Sequence, residues 1–146
     1  METRATFRLF GDATLTAAAV TERLGIQPTR ALEAGDRVGR QPGATRTASV
    51  WLLSSGPGSE ECTELATQLR RLLDLLEPVT AQLWDLARAG YEANWFCYIA
   101  SHATEHAAEL DRPTLRRLLA LPGDLWLDVC GDGFDEGERG DAEQDG

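Results

Sequence analysis

The sequence predicts an α+β fold: a four-stranded, mainly antiparallel sheet with helices packed on one face. Three observations lead there. Residues 3–10 alternate Ala5, Phe7 and Leu9 with Arg4, Thr6 and Arg8, the period of a strand with one buried side. Leu65, Leu69, Leu72, Leu76, Val79, Leu83 and Leu86 recur at steps of four and three, the period of one helix face. Along the chain the segments run β-α-β, then a long helix, then β-α-β, an order that suits two layers around one core.

After the first strand, Gly11-Asp12 interrupts the alternation and Thr16 can cap a helix running to about Leu24, with Val20 and Leu24 on one face. Gly25 terminates that helix and Pro28 prevents it from resuming. Residues 28–48 form a connection too long for a plain loop, in which residues 30–34 suit a short helical turn and Gly35-Asp36 a turn. Val50-Trp51-Leu52-Leu53 is apolar on both faces, as an interior strand is, and residues 54–59 are a Ser/Gly/Pro loop. Pro78 interrupts the leucine stripe without shifting its phase, so the spacing predicts one kinked helix or two helices abutting at Glu77-Pro78. A third strand covers residues 93–99, with Ala93, Trp95, Cys97 and Ile99 on one face. Residues 101–109 suit either a loop or a short helix. Asp111-Arg112-Pro113 starts a last helix with Leu115, Leu118 and Leu119 inward, Pro122-Gly123 stops it, and Leu125-Trp126-Leu127-Asp128-Val129 is the fourth strand. The expected architecture is two β-α-β units joined by a long kinked helix, ferredoxin-like in outline.

Residues 1–130 are long enough for a single domain with its own core. The formal net charge of the chain is -10, of which residues 131–146 carry -6. Acidic, glycine-rich and almost without apolar groups after Phe134, this tail cannot offset its ordering entropy and is expected to be disordered. A calcium loop counted from Asp132 would set Gly137 and Glu143 correctly, but Phe134 stands where an oxygen ligand belongs. All 14 basic residues are arginine, which excludes lysine chemistry and favours bidentate recognition of carboxylate or phosphate. Cys62, Cys97 and Cys130 form no CxxC pair, so reduced thiols are expected. With no leader signature and no apolar run of membrane-spanning length, a cytoplasmic protein is expected, bound to no membrane.

Leu24-Gly25-Ile26-Gln27-Pro28-Thr29, Gly35-Asp36, Trp51, residues 72–78 ending in Glu77-Pro78, and the closing Leu125-Trp126-Leu127-Asp128-Val129 together carry a resemblance. Over residues 3–130 the chain resembles the bacterial family catalogued as domain of unknown function 4279. Cys130 stands where that family often has an aromatic residue. The resemblance implies a fold and a bacterial origin, and no activity.

No glycine-rich phosphate loop follows a strand and no GxSxG is present. His102 and His106 are four apart but read as surface residues, and Cys97 alternates with core side chains, as an inert thiol would. No catalytic residue, metal or cofactor is expected, and the negative charge disfavours nucleic acid. Two readings of function remain. The first is a non-enzymatic binding or protein-interaction module, of the immunity or inhibitor type, using an open sheet face on which Phe96, Tyr98 and Trp126 would form an aromatic patch. The alternative is a small-molecule or phosphate-binding domain, or an enzyme, with a pocket lined by Arg30, Asp36 and Trp51. The candidate ligand-binding residues are Arg30, Asp36, Arg37, Trp51 and Asp128.

Overall fold

A computed structural model of the chain describes residues 2–36, 47–55, 64–101 and 108–131. Arg37, Arg40, Arg46, Cys62, His102, His106 and the acidic tail from residue 132 onward lie outside the described residues.

The elements run β1 (Glu2–Gly11), α1 (Ala17–Leu24), β2 (Arg30–Leu32), β3 (Ser49–Ser54), α2 (Leu65–Leu76), a 3-10 turn (Glu77–Val79), α3 (Thr80–Ala89), β4 (Glu92–Ser101), α4 (Arg112–Leu119) and β5 (Asp124–Gly131). They build a mixed α+β domain around one five-stranded sheet of order β2-β3-β1-β4-β5. β1 pairs antiparallel with both β3 and β4, β2 pairs antiparallel with β3, and β5 joins β4 in parallel.

The sheet therefore has five strands where the sequence predicts four. The additional strand is β2, in the segment expected to make a helical turn. Thr29 N–H donates to Leu52 O at 2.8 Å, and the ladder continues with Arg30 opposite Leu52 and Leu32 opposite Val50. Pairing β3 satisfies backbone groups that a helical turn would leave exposed. The first β-α-β unit consequently ends on β2, which runs parallel to β1, while the Trp51 strand β3 is inserted antiparallel between them.

Odd-numbered strand residues face the helices. Thr3, Ala5, Phe7, Leu9, Ser49, Trp51, Leu53, Trp95, Cys97 and Ile99 are all buried, in one core with Val20, Leu24, Leu69, Leu72, Leu73, Leu76 and Leu83. Phe7 and Trp95 lie 4.8 Å apart between ring centroids. Even-numbered strand residues point to the opposite face, which no described helix covers.

Local chemistry explains the element ends. Thr16 accepts from Ala19 N–H at the start of α1, and Gly25 closes it in the left-handed region at φ +68°. Gly11 permits a close approach: a Cβ there would collide with the Leu15 carbonyl oxygen. At Pro78 the leucine stripe divides into α2 and α3 around the 3-10 turn, the two-helix outcome of the expected pair, because proline supplies no N–H to an uninterrupted helix. Asp111 caps α4 by accepting from Thr114 N–H at 2.9 Å, and Pro113 lies in its first turn.

The last unit departs from expectation. α4 seats on α2 through Leu118 and Thr114, and Arg117 donates to Asp74 at 2.6 Å and to Glu77 at 2.7 Å. Leu119, expected inward, is 81% exposed, and Leu115 is exposed too. Leu125, Leu127 and Val129 are exposed as well, although they share a face with buried Trp95, Cys97 and Ile99. β5 is the outermost strand of the described sheet, and no described helix reaches over it.

Candidate protein-interaction face

The uncovered face is ordered by the strand register. One cross-strand row reads Ser54, Thr6, Phe96, Trp126, and the next reads Arg4, Tyr98, Asp128. The row on the other side of Phe96 reads Arg30, Leu52, Arg8, Asn94, Asp124. Side chains opposite one another on neighbouring strands are in contact range, so Phe96 and Trp126 form an aromatic step and Tyr98 is set beside the Asp128 carboxylate.

Arg8 organises the middle of this face. Its guanidinium lies over the Phe96 ring at 4.3 Å and within 5.3 Å of the Phe10 ring centroid, and its Nε donates to Asn94 Oδ1 at 2.6 Å. Partial burial lowers the guanidinium pKa from its ordinary value, yet the two rings provide π-faces that favour the cation. Sequence reasoning missed Arg8 as a surface organiser. Its signal was the alternation of Arg4, Thr6, Arg8 and Phe10 on one side of β1. Tyr98 is held above the ordinary phenol range chiefly by electrostatic repulsion from the neighbouring Cys130 sulfur, with burial, Glu2 and Asp128 adding to it. Beside these rings, Arg4, Thr6, Leu52, Ser54, Phe96 and Tyr98 line a shallow open depression of about 550 Å³.

The sequence-derived candidates do not come together. Trp51 is fully buried on the helix-covered side, where its Nε1 donates to Thr21 Oγ1 at 3.0 Å. Arg30 and Asp128 both point to the uncovered face, but from opposite edges of the sheet, ~19 Å apart across the strands and ~13 Å apart along them at the usual spacings. Asp36 has a structural duty: its Oδ2 accepts from Glu33 N–H at 2.8 Å and fixes the turn that presents Glu33. The Glu33 carboxylate in turn accepts from Ala17 N–H at 2.7 Å and Ala18 N–H at 3.0 Å, holding the first turn of α1. Arg37 lies outside the described residues.

Burial pushes the Cys97 thiol up to about 12, so it carries no thiolate at neutral pH. Among the described residues, no group of His, Cys, Asp or Glu side chains is arranged to hold a metal ion, and no helix is long and apolar enough to cross a membrane.

The anchors of the Leu24 to Trp51 stretch each have a place: Gly25 ends α1, Thr29 Oγ1 accepts from Ser54 N–H at 2.9 Å, Asp36 sets a turn and Trp51 fills the core. No curated protein and no solved structure matches the chain. The model of the family described as Domain of unknown function (DUF4279) matches residues 1–131 of the 146-residue chain, and the chain belongs to that family.

Proposed function

We propose that this domain is a non-enzymatic protein-interaction module, of the immunity or inhibitor type, whose working surface is the uncovered sheet face. The observation that carries the reading is the set of aromatic side chains Phe96, Tyr98 and Trp126 on that face, with Phe96 held under an Arg8 guanidinium that also lies over Phe10. Aromatic and arginine side chains dominate the energetics of protein interfaces, and a guanidinium held in place beforehand loses little freedom on binding. The chain charge of -10 attracts a basic protein and repels nucleic acid. Free Cys97 and Cys130 suit the reducing cytoplasm. The finer fold reading is ferredoxin-like with β5 appended, supported by the β2-β3-β1-β4 order of the first four strands and their antiparallel neighbours. The alternative, a ligand pocket or active site built on Arg30, Asp36 and Trp51, loses support because Trp51 faces the core and Asp36 holds a turn.

The test is affinity capture with the tagged full chain from its source cell. Recovery of a stoichiometric basic protein, lost when Phe96→Ala and Tyr98→Ala are combined in a variant with an unchanged circular dichroism spectrum, is the expected result. Recovery of no protein, or equal recovery by the variant, overturns the reading.

A further inference from the structure

Of the eight large apolar side chains exposed among the described residues, Leu75 and Trp84 belong to α2 and α3. The other six, Leu115, Leu119, Leu125, Trp126, Leu127 and Val129, all belong to α4 and β5. Leu127 is 56% and Val129 65% exposed, while their neighbours on β4, Cys97 and Ile99, are buried. β5 ends the sheet, so among the described residues its outer row of N–H and C=O groups faces no strand. Proteins usually blunt such an edge with charged side chains, lysine above all, or with proline, a bulge or a short strand. Here the chain has no lysine, β5 has no proline, its two charges, Asp124 and Asp128, both stand on the uncovered face and leave the helix side apolar, and its register with β4 runs unbroken from Asp124 to Gly131. The opposite edge differs, since β2 has only three residues and begins with Arg30.

We propose that a second copy of this chain occupies the β5 edge, paired antiparallel with it about a two-fold axis perpendicular to the sheet. The sequence of β5 is self-complementary in a register that charge selects. With Leu127 opposite its own counterpart, Leu125 meets Val129 of the second copy, Val129 meets Leu125, and three apolar pairs line the helix side. On the other side Trp126 meets Asp128 of the second copy and Asp124 meets Cys130. Moving the axis one residue onward sets Asp128 against Asp128, and moving it one residue back sets Asp124 against Asp128. Like charges directly opposite are destabilising, so the Leu127-centred register is favoured over both neighbours.

This geometry closes. A perpendicular two-fold keeps both helix layers on one face, so both α4 helices, with exposed Leu115 and Leu119, lie on the side carrying Leu125, Leu127 and Val129. Both β5 edges are used and, among the described residues, only the short β2 edges remain, so association stops at two copies. The uncovered faces of the two copies become one continuous surface. Each copy carries a net charge of -10, so salt screens their repulsion and strengthens the pairing, whereas it weakens attraction to a basic partner.

Sedimentation equilibrium of the full chain, at low and high salt, tests the proposal. The expected result is a mass of two chains, tighter at high salt, with Leu127→Lys weakening the dimer at least roughly tenfold because it sets two ammonium groups opposite each other. Val129→Lys gives the same direction, and the native circular dichroism spectrum in both variants separates loss of pairing from loss of fold. In a Cys130→Ser background, a short bismaleimide links Leu127→Cys to its counterpart but leaves Gly131→Cys unlinked, because the axis places those positions ~27 Å apart. A single-chain mass at high concentration, a mass that grows without limit, an unchanged dimer in both lysine variants, or linking at 131 in place of 127 overturns the proposal. The interaction reading fails separately. A monomer that still captures a partner overturns only the self-pairing, and a dimer that captures none overturns only the open-face reading.

Discussion

α1 and α4 are both eight-residue helices that carry the chain from one strand to another, and each starts on a side-chain cap, Thr16 or Asp111. Beyond the caps they diverge. α1 lies beside β1 and β3 with Val20 and Leu24 buried, Thr21 accepting from the Trp51 indole, and Glu33 holding its first turn. α4 rests on α2 and leaves Leu115 and Leu119 in solvent, as β5 leaves Leu125, Leu127 and Val129. The same amphipathic spacing gives burial over the middle of the sheet and exposure at its edge. Apolar pattern specifies which side of an element is apolar, and the position of the element in the sheet decides whether anything covers that side.

The largest expected effect probes this contrast directly. Trp51→Ala leaves a cavity and removes the indole bond to Thr21, and should cost about 3–5 kcal/mol in urea unfolding, against less than about 1 kcal/mol for Leu127→Ala measured at concentrations where the chain is single. Equal costs would break the distinction between centre and edge.

Next come the residues that fasten α1. Glu33→Ala uncovers the Ala17 and Ala18 N–H groups and should cost about 1–2 kcal/mol, and Asp36→Ala should lower stability in the same direction by less, since it acts on Glu33 through the turn. If Asp36→Ala leaves stability unchanged, its assigned duty is wrong. Gly25→Ala should cost about 1 kcal/mol, because φ +68° is strained for any residue with a Cβ, although the space around it is open.

The smallest effect is at the α2–α4 contact. Hydrogen bonding to Arg117 holds the Glu77 carboxyl below its ordinary value of 4.5. A carboxyl depressed on folding contributes stability that is fully present above its unfolded pKa and lost as pH falls through the folded one. Arg117→Gln should therefore lower Tm at neutral pH, with the gap to the parent chain starting to close as pH falls below about 4.5 and vanishing once pH has passed the depressed folded value. A gap that persists unchanged into strong acid would show that Arg117 acts by packing instead of charge.

Much of the fold was legible in the chain. β1, β4 and the leucine stripe of α2 and α3 follow from period alone, and the ends of α1 follow from Thr16 and Gly25. β2 was not legible, because Arg30-Ala31-Leu32 is too short to show a period and becomes a strand only by pairing with β3. The duty of Asp36 was hidden for a similar reason. It serves Glu33, which caps a helix 16 residues earlier in the chain, a relation that only the folded turn creates. The aromatic side of β4 and β5 could be read from alternation, whereas the placement of Arg8 between two rings, and of β5 at an edge, depended on strand order.

The four tryptophans stand at graded depths. Trp51 and Trp95 are sealed in the core, Trp84 is tied at the surface by its Nε1 bond to Ala120 O, and Trp126 projects from the edge strand. A small neutral quencher of indole fluorescence should therefore reach Trp126 first and the core pair only on unfolding. Because Trp126 stands on the strand assigned to self-pairing, dilution of the chain should raise the quenchable fraction of its emission before any change in the core. The edge can be followed by light without a label.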